Sequence, residues 1–299
     1  MYEEFGTVLN KGFKSWIRNL NICIPFVLNF LVELILYSLF FGLIGILVFT
    51  SSTGSVIDPS TLSDKEILAM IWGGFSKNII LSMSLLLGFF LSFIFMQSFF
   101  TAGAIGMAKK ALETGDTVLS DMMVSGSKNV FRFFMATLLI ALLLLVGIIF
   151  MVPGALSVGN LSALVQNPEA SMQGMTVLAI GIILWTVYLI IVNFVLSLST
   201  YALVIDELGP LEALSAGFKF FMDNKLDVFF VWVVYMGLAL IINFIGEFTG
   251  SQNIMAASSL IMVVVLKPLM TILWTRLYLT REGKKLYNPS DLLSYPDRF

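Results

Sequence analysis

Six apolar runs, each about 20 residues or longer, constrain this chain more than any other feature, because a helix of that length matches the hydrocarbon thickness of a bilayer. They are Ile22–Phe49, Ile79–Met107, Phe133–Val152, Met175–Ile205, Val228–Ile245 and Ile254–Leu277. Backbone polar groups in hydrocarbon must bond within the protein, so these runs predict an all-α polytopic membrane protein with six transmembrane helices. The composition agrees: 12% of residues are charged, against about a quarter in soluble domains, and the mean hydropathy is +0.95. The start, "MYEEFGTVLNKGF", is acidic and lacks the basic n-region of a signal peptide, so the first span is expected to be retained.

The same composition excludes much ordinary enzymology. With no histidine and only Cys23, the chain has no Cys/His zinc site, histidine-ligated haem, internal disulfide or histidine acid–base relay. It contains no Gly-x-Ser-x-Gly elbow, Walker loop or His-Glu-x-x-His. No cofactor is expected. A formal charge of −2 without a basic stripe gives no ground for nucleic acid as a partner. Ser63 followed by Glu66 reads as a capping box, and Asn160-Leu-Ser fits a glycosylation acceptor pattern.

Lysine and arginine placement predicts the orientation. Lys11, Lys14, Arg18, Lys109, Lys110, Lys128, Arg132, Lys219, Lys225, Arg276, Arg281, Lys284, Lys285 and Arg298 fall on one side of the six runs, whereas only Lys65 and Lys77 fall on the other. The expectation is a cell-membrane protein with both termini cytoplasmic.

An internal repeat subdivides the chain. "GFKSWIRN" (Gly12 to Asn19) recurs as "GFKFFMDN" (Gly217 to Asn224), and a weaker copy, "GSKNVFRF", begins at Gly126. Each precedes an odd-numbered span and lies in an amphipathic stretch. In the first, Phe5, Val8, Leu9, Phe13, Trp16 and Ile17 share one helical face, opposite Thr7, Lys11, Lys14 and Arg18. Such helices suit the bilayer interface, with Lys11, Lys14, Arg18, Lys128 and Lys219 toward lipid phosphate. The predicted architecture is therefore three tandem hairpins, each preceded by an interfacial elbow helix. The units run over about residues 1–107, 108–205 and 206–282 of a single transmembrane domain 1–299, with a cytoplasmic tail from 283 to 299.

The stretches "TAGAIGMAKKALETGDTVLSDMMVSGSKN" (Thr101 to Asn129) and "LVIDELGPLEALSAGFKFFMDNKLDVF" (Leu203 to Phe229) carry a resemblance. In both, a span ends in small residues, a Gly or Glu-x-Gly turn follows, and an elbow leads into the next span. The chain resembles uncharacterised bacterial and archaeal six-span proteins related to the membrane domain of glycerophosphodiester phosphodiesterase. What the resemblance implies is architecture. The catalytic barrel sometimes fused to that domain is absent here, so its activity does not carry over.

Polar groups at membrane depth are the remaining candidates, because they are costly there. Glu33 lies about 18 Å into the first span and Lys267 about 13 Å into the sixth, at 1.5 Å per residue. Two readings stand: an ion pair between them, or a lysine that snorkels to the headgroups beside a protonated Glu33. Pro268 next to Lys267 removes a backbone donor and predicts a kink. Asn29, Gln97, Asn193 and Asn243 add one amide to each of four spans; convergence would make a pathway, and separate bonding would make helix glue. Gly103 and Gly106, with Ala102 and Ala104, permit close helix approach. Function then divides in two. One reading is a non-enzymatic scaffold or accessory subunit that binds lipid, a partner protein or a second copy at the inner leaflet. The other is a small-solute or lipid transporter with a midplane polar site.

Overall fold

In the computed structural model, which describes residues 3–51, 72–77, 79–158 and 172–287, every regular element is a helix. The chain enters through α1 (Phe5–Arg18) and a 3₁₀ turn (Leu20–Cys23), then runs as α2 (Ile24–Ser51) and α3 (Ile79–Thr114). It continues as α4 (Leu119–Val146), a 3₁₀ stretch (Gly147–Met151) and α5 (Val152–Val158), then α6 (Met172–Val195) and α7 (Ser199–Ile205). The last part comprises α8 (Pro210–Asp223), α9 (Lys225–Phe248), α10 (Gln252–Ile261), a π-helical turn (Met262–Leu266) and α11 (Lys267–Arg281). Six of these helical runs are long and apolar enough to cross a membrane. The capping box at Ser63 and Glu66, Lys65, Asn160 and the tail beyond 287 lie outside the described residues.

The spans depart from unbroken rods where a specific residue interrupts the ladder. Pro153 cannot donate and crowds the preceding turn, so α4 tightens to 3₁₀ and restarts as α5, extending helix past the predicted end at Val152. The carbonyls near this break are taken by side chains across the hairpin: Tyr188 Oη donates to Leu143 at 2.8 Å and Trp185 Nε1 to Leu144 at 3.5 Å. Before Pro268 the sixth span widens into a π-turn, which accommodates the missing proline donor. The fourth span is also not continuous, since α6 and α7 are separated by a turn at Leu196–Leu198.

Three elbow segments, α1, the beginning of α4, and α8, share one construction rule. Gly12, Gly126 and Gly217 each stand seven residues after the first residue of their helix, Phe5, Leu119 and Pro210. A Cβ on Gly12 would lie 2.5 Å from Leu273 Cδ2 on α11; on Gly126, 2.9 Å from the Phe99 carbonyl on α3; on Gly217, 2.5 Å from Ser199 Cα on α7. Each elbow thus docks on the end of an even-numbered span, and its glycine sets the closeness of approach. Gly103 and Gly106 do the same from the α3 side, where Cβ atoms would collide with Met122 and Ser125. Close packing is the role their sequence implied.

The elbows differ in how they end. Asn19 and Asn224 cap α1 and α8, each turning its side-chain amide back onto the carbonyl four residues earlier, Ser15 and Phe220, at 3.0 Å. The weaker repeat has Phe133 at that register, and there the elbow passes into the third span as one helix. The two asparagines thus stand at the corners and Phe133 within a continuous helix, although the amide bond alone does not end a helix, since Asn129 makes the same bond to Ser125 inside α4.

The core lies on the elbow side and is centred on α11, where Pro268 and the residues from Met270 to Thr280 are buried. Val8, Ile105, Met122, Leu203, Phe220 and Leu277 belong to the same cluster. Half of the sixth span's most apolar window is buried, against at most 17% in the others. The remaining spans hence expose most of their apolar surface, as helices bathed in lipid do.

Candidate functional site

The intramembrane candidates do not assemble into one site. Asn29 is buried and donates to Glu33 Oε1 at 2.6 Å, one turn along the same helix. Lys267 is exposed, and no ion pair within 4 Å joins it to Glu33. Gln97, Asn193 and Asn243 are exposed. The last two bond within their own helices, to Leu189 and Ala239, both at 2.9 Å. No hydrogen bond joins one of the four amides to another. Among the described residues, no three acidic or thiol side chains gather where a metal ion would need them.

The elbow side, by contrast, carries a belt of ion pairs and charge-assisted hydrogen bonds. It starts where Gly12 lets α1 lie against α11: Arg276 Cδ sits 3.8 Å from the position of a Gly12 Cβ. From there Arg276 reaches Glu3, donating from Nε at 2.9 Å and from an η nitrogen at 2.8 Å. Lys11 adds a third bond to the same carboxylate at 2.8 Å. Burial pushes the Glu3 carboxyl up, but the bonds from Arg276 and Lys11 more than offset this and hold it below the ordinary glutamate range. One turn further along α11, Arg281 donates to Asp227 at the start of α9 at 2.7 Å and to the Glu3 carbonyl at 2.9 Å.

The belt continues around the bundle. Tyr278 donates to Asp206 at 2.5 Å, and Lys284 pairs with the same carboxylate, so the end of the sixth span is tied to the end of the fourth. Burial lowers the Lys284 pKa, and repulsion from Lys109 adds to the effect. Lys109 on α3 donates to the Ile205 carbonyl at 2.9 Å. Lys128 on α4 pairs with Glu207 at 2.5 Å, and Arg132 donates to the Glu207 carbonyl at 2.5 Å. The Lys128 bond holds the Glu207 carboxyl below its ordinary range.

The even-numbered spans also end alike. Gly115, Glu207 and Gly283 follow the second, fourth and sixth spans with φ of 90°, 57° and 67°. This left-handed conformation closes a helix and favours glycine, so Glu207 stands out as the one non-glycine with positive φ among the described residues. At Gly115 the corner is covered by Tyr287, whose backbone N–H donates to the Leu112 carbonyl at 2.7 Å, and by Asn19, whose amide donates to the Gly115 carbonyl at 3.3 Å. Orphan carbonyls at the end of α3 are thereby satisfied.

Of the basic elbow residues, Lys11 and Lys128 belong to the belt. Lys14, Arg18 and Lys219 are exposed, and the Arg18 guanidinium stands 5.3 Å from the Tyr287 ring centre. Sequence reasoning did not single out Glu3, Asp206, Asp227 or Arg276 as partners. They occur in ordinary turn and terminal segments, and only folding brings them together across as many as 273 positions.

No curated protein and no solved structure matches the chain. A family model described as a domain of unknown function (DUF7847) matches residues 26–280, from the start of the first span to the end of the sixth. Nothing in that match ties the chain specifically to glycerophosphodiester phosphodiesterase; by it, this six-span helical membrane protein belongs to the DUF7847 family.

Proposed function

We propose that this protein is a non-enzymatic membrane scaffold or accessory subunit whose elbow face, turned to the cytoplasm, binds anionic lipid or partner proteins. The observation that carries the reading is the division of labour on that face. Ion pairs brace the span ends, while the elbows leave apolar side chains open beside basic ones: Phe13 and Ile17 beside Lys14 and Arg18 on α1, and Phe218 and Met222 beside Lys219 on α8. Such a surface suits the headgroup boundary. The fourteen basic residues on the same side support the orientation. The matching glycines and left-handed corners support three copies of one unit, and the loop pattern supports kinship with the phosphodiesterase membrane domain. The transporter reading lacks a shared polar site among the described residues.

The test uses the full-length protein in vesicles that mix neutral and anionic phospholipid, with native mass spectrometry of the lipids retained on extraction. Anionic lipid should be enriched on the protein relative to the vesicle, and changing Lys11, Lys14 and Arg18 to Gln should reduce the enrichment. Retention in proportion to vesicle composition would sink the reading. Orientation is checked separately on a Cys23→Ser background: single cysteines at Ser55 and Ser162 should label from outside with an impermeant thiol reagent, and one at Ser290 should not.

A further inference from the structure

The three elbows each border a hollow on the same face, and their charge differs. Beside the second, Lys109, Lys110 and Lys128 face Glu113, Asp121 and Glu207, so the charges balance. Beside the third, Lys225 is outnumbered by Asp223 and Asp227. Beside the first, Lys11, Lys14, Arg18 and Arg276 line a hollow of about 190 Å³ that no carboxylate among the described residues lines. Glu3, from outside it, meets Lys11 and Arg276. Lys14 and Arg18, one helical turn apart, have no carboxylate within 4 Å among the described residues.

We infer that the hollow between α1, the end of α3 and Tyr287 binds a phosphate group, with Lys14 and Arg18 as its principal ligands. This deepens the elbow-face reading above and rests on it. A phosphomonoester carries about −1.5 to −2 near neutral pH, matching two free cations, whereas a carboxylate would leave one unmatched. Arginine supplies a planar fork for phosphate oxygens and lysine a mobile point charge. The Tyr287 ring backs the Arg18 guanidinium, and that ring is itself seated on Gly115, where a Cβ would lie 2.7 Å from it. The hollow has room for roughly six waters at about 30 Å³ each, enough for one phosphate group and part of its hydration. The phosphate is that of a monoester lipid reaching up from the bilayer or of a soluble ion arriving from the aqueous side.

The experiment uses the full-length protein in neutral detergent, with inorganic phosphate, phosphatidic acid and phosphatidylcholine as separate probes. The variant K14Q/R18Q is compared with K225Q/K285Q, which removes the same charge from exposed positions on the same face. Saturable binding of inorganic phosphate or phosphatidic acid is expected, weakened at least tenfold in K14Q/R18Q and less than twofold in K225Q/K285Q. Binding of inorganic phosphate assigns the site to a soluble ligand, and binding of phosphatidic acid alone assigns it to lipid. Equal losses in the two variants would overturn the pocket while leaving a diffusely anion-attracting elbow face intact. Saturable binding of neither anionic probe would also overturn it, and the lipid-retention experiment above then decides the broader reading independently. Unchanged elution and unfolding temperature of both variants establish that neither loss reflects misfolding.

Discussion

Arg276 holds both carboxylate oxygens of Glu3, closing the bundle by joining the first described residue to the last span. The pair is almost dry, with side-chain exposures of 4% for Arg276 and 12% for Glu3. Removing Glu3 leaves the Arg276 charge buried and uncompensated, at a cost of about 3–5 kcal/mol, whereas removing Arg276 leaves Glu3 its bond to Lys11 and costs less. Glu3→Gln and Arg276→Met should each lower the unfolding temperature, and the double change should cost less than the sum. Additive losses in that cycle would show that the two side chains stabilise the fold separately.

The same contact predicts a pH dependence. Glu3 is held below its ordinary value in the folded protein, so its stabilisation is fully present above the unfolded value of about 4.3 and is lost as pH falls through the lower folded one. The difference in unfolding temperature between the wild type and Glu3→Gln should be constant from about pH 5.5 to 7 and shrink below about pH 4. A difference that grows on acidification has the wrong sign for this assignment.

Glycine contacts rank the elbow joints. A Cβ at Gly217 would run into the Ser199 backbone, which cannot yield without moving α7, whereas one at Gly12 meets the end of the flexible Leu273 side chain. Gly217→Ala should destabilise by about 1–3 kcal/mol, the usual range for overpacking, and by more than Gly12→Ala. Gly6→Ala, with nothing within 4 Å, serves as the reference. Equal effects at all three positions would mean that the elbows are not closely docked.

Glu207 occupies a conformation that glycine adopts more readily. Both Glu207→Ala and Glu207→Gly remove the Lys128 ion pair, but only glycine relieves the backbone. The glycine variant should unfold at a higher temperature than the alanine variant. The reverse order would show that this corner carries no strain.

Inside the membrane, Glu33 is bonded to Asn29 and separate from Lys267. Glu33→Gln and Lys267→Met should therefore add to within about 0.5 kcal/mol, whereas Asn29→Ala and Glu33→Gln should not. Coupling between Glu33 and Lys267 would point to a pairing of the two in the bilayer that the structure does not contain.

Much of this architecture was legible in the chain because its cause is local. Apolar runs long enough for a bilayer name the six spans, a proline next to Lys267 names the irregular turn, and the Gly-Phe-Lys register names two of the elbows. The elbows also differ at one aligned residue: Asn19 and Asn224 stand at corners where Phe133 lies within a continuous helix. The belt was not legible, because an ion pair has no period and no preferred sequence distance. Glu3 could have been read as a solvated terminal acid and Arg276 as a cytoplasmic anchor. It was the approach of α1 to α11 at Gly12 that removed both from water and made each the other's partner. The same holds for the amides: their cost in hydrocarbon is set by sequence, but only the structure shows that Asn29, Asn193 and Asn243 bond within their own helices rather than to one another.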